Sequence, residues 1–409
     1  MLLYWIAGDL SRKGGEACSG QIRSNMTIPP LTAAQVSAPE IAERHRKVRE
    51  KMEKASLSAY VSFDPDNVYY LTNFANFVHE RPFVLVLTMT ETFFVVPVLE
   101  VPHVLRHKIG ELKLLSYAEF PAVVGSRWSD RFADALPKQG TVGIEGACPA
   151  YLQAQIPNPV KLLNIIDEVR EIKSAHEISR IAWTSDVMTK ALGLMLGKVK
   201  PGMMVAQTIG DVTPYFYHRC LTESPQYNVM STHAAGLIQP PAYTDDPHNF
   251  SCLTATCEPG GPFLGLIAGK INGYGAEIER TFFLETIPEE AKRPFNTMMA
   301  MRYKAYDMLK PGAIGSEIDA ACQAIAHAAG YETPLHRTGH SFGVTSHEAP
   351  FLALGQDNVV QPGMIFSIEP GIYIKGKAGY RHSDTVVVTE TGYEILTKYP
   401  DSKEDLIVG

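Results

Sequence analysis

The run "PGMIFSIEPGIYI" (362–374) decides the fold, because it sets one acid inside an apolar strand and closes that strand on Pro370 and Gly371. Glu369 interrupts a β-branched and aromatic stretch of the kind that forms buried strands. A carboxylate buried there must be offset by a partner, so Glu369 reads as a functional candidate; a salt bridge to a structural Arg is the plain alternative. Working outward, "FLGLIAG" (263–269), "ERTFFLE" (279–285) and "DTVVVTE" (384–390) are further strand-like runs, and they alternate with helical stretches. The C-terminal part of the chain therefore mixes α and β structure.

Two more clusters carry chemistry. "LHRTGHSFGVTSHEAP" (335–350) contains His336, His340, His347 and Glu348. Gly339 and Gly343 flank His340, which predicts a tight turn that exposes the imidazole; a buried, hydrogen-bonded histidine is the alternative. "INGYGAEIERTFF" (271–283) places Glu277 and Glu279 two residues apart, on one side of a strand. Two carboxylates on one apolar face are costly unless they meet a cation, a metal or a proton, or unless that face is exposed.

The N-terminal third reads as a smaller α/β unit. A helix is predicted over 39–55, with Ile41, Val48 and Met52 on one face. "SAYVSF" (58–63) reads as a strand, "DPDN" (64–67) as a turn, and "PFVLVLT" (82–88) with "ETFFVVP" (91–97) as a strand pair. "LEVPHVLRHKIG" (99–110) reads as a helix and "TVGIEG" (141–146) as another strand. A boundary falls within residues 156–182. Ser174 followed by Glu177 is a capping-box pattern that opens a helix running to about Lys198. "KPGM" (200–203) stops it, and "KPGA" (310–313) recurs between two later helical stretches, hinting at two similar halves. The expected plan is a disordered extension at 1–35, an N-terminal domain at 36–165 and a C-terminal domain at 166–409.

At 409 residues the chain is long enough for two cores, and 45% hydrophobic with 20% charged residues is the balance of an ordinary globular protein. A net charge of -7 with no long basic run excludes a general affinity for nucleic acid or anionic membrane. Six cysteines without a CxxC predict reduced thiols and a cytoplasmic setting. The apolar run 2–7 is too short for a signal-peptide core or a membrane span.

"GHSFG…SHEAP", "PGMIFSIEPGIY" and "GYRHSDTVVVTETGYEILTKYP" resemble, in order and spacing, the C-terminal domain of the aminopeptidase P/prolidase/creatinase family. "NVYYLTNF" and "DEVREIKSAHEISRI" are similar to that family's N-terminal domain and interdomain helix. The resemblance implies an α+β chain with a C-terminal pita-bread domain and a smaller N-terminal α/β creatinase-type domain. In the peptidase branch, two Asp, one His and two Glu hold two metal ions. Position by position these fall at Leu266, Glu277, His340, Glu369 and Ser383. Leu cannot ligate a metal and a serine hydroxyl is a poor replacement for a carboxylate, so a normal two-metal centre is not expected. One ion at Glu277, His340 and Glu369 is compatible with what remains.

The losses make the site resemble creatinase, the metal-free branch. That likeness implies His248 as the catalytic acid/base, Glu279 and Glu369 as acids that hold a substrate cation, and Arg81 as a carboxylate anchor reaching across a homodimer. His340, His347 and Glu277 would line the pocket. A second Arg that the creatine-cleaving enzyme carries before "PGM" is absent here. The leading expectation is thus a hydrolase of a C–N bond in a small zwitterionic molecule, an amidine, guanidino or amide compound, working without metal or cofactor. A metal-dependent Xaa-Pro peptidase and an inactive binding module are the alternatives.

Overall fold

A computed structural model describes residues 29–75, 80–119, 122–224 and 227–409. Residues 1–28 of the expected N-terminal extension lie outside these. The described remainder of that extension has no helix or strand and is held on the chain by Ser179, whose hydroxyl donates to the carbonyl of Pro30 at 2.8 Å.

The first unit comprises α1 (Ala38–Lys54), β1 (Leu57–Ser62), α2 (Pro65–Thr72), β2 (Val84–Thr88), β3 (Thr92–Pro97), α3 (Val101–His107), β4 (Lys113–Tyr117), α4 (Trp128–Ala135), β5 (Thr141–Ile144), α5 (Ala150–Gln153), β6 (Val160–Leu162) and α6 (Ile165–Arg170). Its six strands form one sheet in the order β4-β3-β2-β1-β5-β6. Ile41, Val48 and Met52 are buried along α1, the face that helical periodicity predicted. "DPDN" departs from the predicted turn. Asp64 accepts from the amides of Asp66 and Asn67, and Pro65 takes the first helical position, so this segment starts α2.

The second unit comprises α7 (Ala175–Leu196), α8 (Val205–Thr208), α9 (Val212–Glu223), β7 (His233–Gln239), β8 (Gly260–Ile271), β9 (Tyr274–Leu284), α10 (Glu289–Met308) and α11 (Gly315–Ala328). It continues through β10 (Gly339–Ser341), β11 (Glu348–Leu352), β12 (Ile365–Ile368), β13 (Gly371–Ile374), β14 (Ala378–Arg381), β15 (Ser383–Val388), β16 (Tyr393–Ile395) and β17 (Ile407–Val408). The Ser174–Glu177 capping box opens α7 as the sequence predicted. Each "KPG" follows a long helix, and Gly202 and Gly312 adopt φ of 81° and 87°, a left-handed conformation that favours glycine.

A nine-stranded sheet runs β11-β10-β12-β15-β9-β8-β7, with β16 beside β15 and β17 beside β9. One face packs on helices. Ile278 and Phe282 join the core under α7 and α9, while Phe366, Ile368, Val386 and Val388 join the core under α10 and α11. Alternation then obliges Glu277, Glu279 and Ser383 to point to the opposite face. A third core crosses the domain junction, uniting Val48 and Met52 of α1 with Ile178 of α7, with Tyr274 and Val387 of the large sheet and with Phe342 just after β10. Glu348, grouped above with the candidate histidines, belongs to this junction. It is buried between Arg170 and Lys173, the latter at 3.0 Å. Among the described residues, no helix is long and apolar enough to cross a membrane, and Cys148, Cys220, Cys252, Cys257 and Cys322 are free thiols.

Candidate active site

The antiparallel register of β8, β9 and β15 assembles the site. Leu266 stands opposite Glu279, Ala268 opposite Glu277, and Ser383 opposite Glu279, so all five share one face. β10 brings His340, and the residue after β12 is Glu369, so that both meet Glu277. Nε2 of His340 lies 3.2 Å from Glu369 and 3.9 Å from Glu277. It is a buried nitrogen with no aligned hydrogen bond among the described residues, and Glu369 is the nearer of its two ionic neighbours.

His340 is only 1% exposed, which corrects the expectation of an imidazole turned outward. The flanking glycines serve close packing. A Cβ at Gly339 would fall 2.1 Å from the carbonyl oxygen of Ser367, and one at Gly343 would fall 2.2 Å from the carboxylate of Glu348. Ser367 also accepts the amide of His340 at 2.9 Å, which fixes β10 against β12. The partner of Glu369 is therefore a histidine, not the structural Arg weighed above.

The three central groups divide charge among themselves. Burial, then the nearby Glu369 carboxylate, push Glu277 up to about 8, while Ser383 donates a hydrogen bond to it at 2.6 Å. Burial would also raise Glu369, but His340 outweighs it and holds that carboxyl well below its ordinary range. For His340, burial acts downward, and the Glu369 and Glu277 carboxylates prevail and raise it. His347 packs edge-on against His340, with ring centroids 4.0 Å apart. Partial burial and then the charge of His340 lower its pKa, so it is neutral near pH 7.

Glu279 does not face this cluster as a free acid. Arg381 grips it with two guanidinium nitrogens, one at 2.7 Å, and both side chains are buried. Arg381 also donates to the Tyr373 hydroxyl at 2.8 Å, and that oxygen lies 2.7 Å from Nε2 of His336. The expectation that Glu279 holds a substrate cation is corrected by this internal partner: a carboxylate already bound bidentately has little left to offer a second cation. The sequence reading passed over Arg381 and Tyr373. "YRHSD" did hold a signal, since an Arg two residues before Ser383 lies in strand phase with it.

The remaining predicted residues lie further out. His248 sits on an exposed turn after β7, near enough to His347 for its charge to depress that histidine. Arg81 lies in the N-terminal domain, where it pairs with Glu119 at 2.7 Å and Glu80 at 2.5 Å. Both of these acids belong to its own domain.

The donor set fits one divalent ion. Glu277, His340 and His347 each offer a ligand atom within 4.8 Å of the others, and Glu369 stands beside them. Two carboxylates and imidazole nitrogen suit Mn²⁺ or Zn²⁺. The set does not fit two ions. Leu266 presents only methyl groups, and the Ser383 hydroxyl is spent on Glu277.

This cluster on a helix-backed mixed sheet, joined to a smaller α/β domain, defines a two-domain pita-bread hydrolase. The Creatinase/Prolidase N-terminal domain profile matches residues 44–172 and that of Metallopeptidase family M24 matches residues 171–390, more than half of the chain. The chain belongs to metallopeptidase family M24. It is 28% identical to the Xaa-Pro dipeptidase of Lactobacillus helveticus over 83% of this chain and 92% of that protein. It is 24% identical to the Xaa-Pro dipeptidase of Pyrococcus furiosus over 87% and 98%. Its fold matches an Xaa-Pro dipeptidase from Bacillus anthracis with a TM-score of 0.76 at 21% identity, covering 90% of this chain and 99% of that one. It matches the prolidase from Pyrococcus horikoshii with a TM-score of 0.75 at 24% identity, covering 88% and 99%. Hydrolysis of a C–N bond stands. The metal-independent, creatinase-like specificity expected from the sequence gives way to the peptidase alternative, because these relatives are dipeptidases and prolidases within a metallopeptidase family.

Proposed function

We propose that the chain hydrolyses the C–N bond of a small peptide-like substrate, with Xaa-Pro dipeptides the first class to test, at a centre that takes a single divalent ion. The observation that carries this reading is the buried Nε2 of His340 set between the carboxylates of Glu369 at 3.2 Å and Glu277 at 3.9 Å. A divalent ion bound there supplies Lewis-acid polarisation of the scissile carbonyl. The chain's own groups orient the substrate. Neutral His347 can donate a hydrogen bond to a carbonyl or accept one from an amine at the pocket edge. Leu266 turns the wall beside Glu279 apolar, which favours an aliphatic ring or side chain there. The Glu279–Arg381–Tyr373 series keeps that wall rigid.

Hydrolysis of glycyl-proline and related dipeptides by the purified full chain, before and after chelation and after manganese is restored, tests this. Activity that chelation removes and one equivalent of manganese restores is the expected result. A specific observation favours a second reading. Without an ion, the raised Glu277 is protonated, while His340 and Glu369 form a neutral pair, so the site is already charge-balanced. Metal-free hydrolysis of a small neutral amide, with His248 shuttling the proton, would use that balance. Turnover of such a compound that chelation leaves untouched, and that His248→Ala abolishes, would replace the first reading with the second.

A further inference from the structure

Away from the active site, the two domains enclose a pocket of about 340 Å³ whose charged lining is of one sign. Arg106 and His107 reach it from α3, His176 and Arg180 from α7, and Asn228 and Asn272 from the catalytic domain. No Asp or Glu lines it among the described residues.

Arg180 is the telling member. It is 2% exposed, and among the described residues its guanidinium donates only to carbonyls, those of Thr32 at 3.2 Å and of Ile271 and Asn272 at 3.4 Å. The rings of Trp183 and Tyr274 lie alongside at 5.2 and 5.9 Å. Other buried guanidiniums of this chain have carboxylate partners: Glu279 for Arg381, Asp384 for Arg280, Glu348 for Arg170. A buried cation without a counter-charge is costly, and carbonyl dipoles at these lengths offset little of that cost. Burial lowers the pKa of Arg180, and among the described residues no acid acts on it. Nε2 of His176 is likewise buried without a hydrogen-bond partner. The carboxylate that His176 does feel, Glu40, is engaged by Arg44 and by the Ser174 hydroxyl. Arg106, on the exposed rim, has no ion pair among the described residues. What the pocket lacks is an anion, and its volume leaves room for a small organic body between Tyr69, Tyr227 and Tyr274.

We infer that this interdomain pocket is a binding site for a small organic anion carrying a phosphate or carboxylate group. Arg180 and His176 meet the anionic head, and Arg106 and His107 close over it from the other domain. Because both domains contribute, an occupant stabilises their junction by mass action.

Thermal melting of the full chain, titrated separately with inorganic phosphate and with succinate at constant ionic strength in sodium chloride, tests the site. A saturable rise in melting temperature is expected. A rise with phosphate assigns a phosphate ester, and a rise with succinate assigns a carboxylate. Arg106→Gln and His176→Gln lie outside the cores, and each should weaken the response about tenfold, the equivalent of one lost charge-assisted contact. Hydrolytic activity of both variants should match that of the unaltered chain. Arg180→Met should abolish the response, and if that variant does not fold, the other two still decide the matter. No saturable rise beyond that given by chloride, or a rise unchanged in both Arg106→Gln and His176→Gln, would overturn the inference.

Discussion

Ser383 and Asp384 are neighbours on β15 that point to opposite faces of the same sheet, and the two faces treat a buried carboxylate in opposite ways. On the helix-packed face, Asp384 is saturated. Arg280 donates to it at 2.9 Å, Arg302 of α10 contacts its second oxygen, Tyr306 lies at 3.2 Å and Thr397 donates at 2.8 Å. Burial would raise its pKa, but Arg280 and Arg302 together hold it down. On the open face, Glu277 has a serine hydroxyl, a distant imidazole and a second carboxylate for company, and its pKa rises. The contrast separates a carboxylate used for structure from one left available for chemistry: the first has every lone pair answered by a cation or hydroxyl, the second does not.

The largest expected effect breaks the structural side. Asp384→Ala leaves the buried Arg280 without its carboxylate and Arg302 with Asp401 alone, and should cost about 3–5 kcal/mol in urea unfolding. The same knot governs acid sensitivity. The folded pKa of Asp384 lies below its unfolded value of about 3.9, so its contribution is full above that pH and fades as pH falls below it. Urea midpoints of the unaltered chain should therefore decline below about pH 4, and a folded Asp384→Asn variant should lack that part of the slope.

His340→Ala breaks the open side. It removes the one imidazole shared by Glu277 and Glu369, and should lower hydrolysis at least a hundredfold, about 2.7 kcal/mol, while the chain remains folded by circular dichroism. Smaller but more informative is a gain of function. Ser383→Glu adds a carboxylate ligand to the donor set and should tighten manganese about tenfold, roughly 1.4 kcal/mol, in a calorimetric titration. Leu266→Asp added to it should admit a second ion. Failure of the double variant to take up more metal would show that more than these two positions separates this site from a two-metal centre.

Much of this was legible in the sequence. Period-2 alternation placed Glu277 and Glu279 on one face, and the Ser174–Glu177 pair opened the interdomain helix. Leu266 and Ser383, where the family resemblance places two missing ligands, stand in strand register with Glu279 and so share its face. What sequence could not reveal was partnership across strands. Glu279 looked as available as Glu369, since nothing local shows that Arg381, about a hundred residues on by chain numbering, returns to grip it. His340 looked exposed because its glycine neighbours suggest a turn, whereas they are required by the carbonyl of Ser367 and the carboxylate of Glu348 pressing against them. "DPDN" looked like a turn because helix caps and turns use the same residues.

The proposed single-ion centre is tested most directly by titrating the chelator-stripped full chain with manganese in a calorimeter. Saturation at one ion per chain, lost in His340→Ala, is the predicted result. Binding of two ions per chain would contradict it.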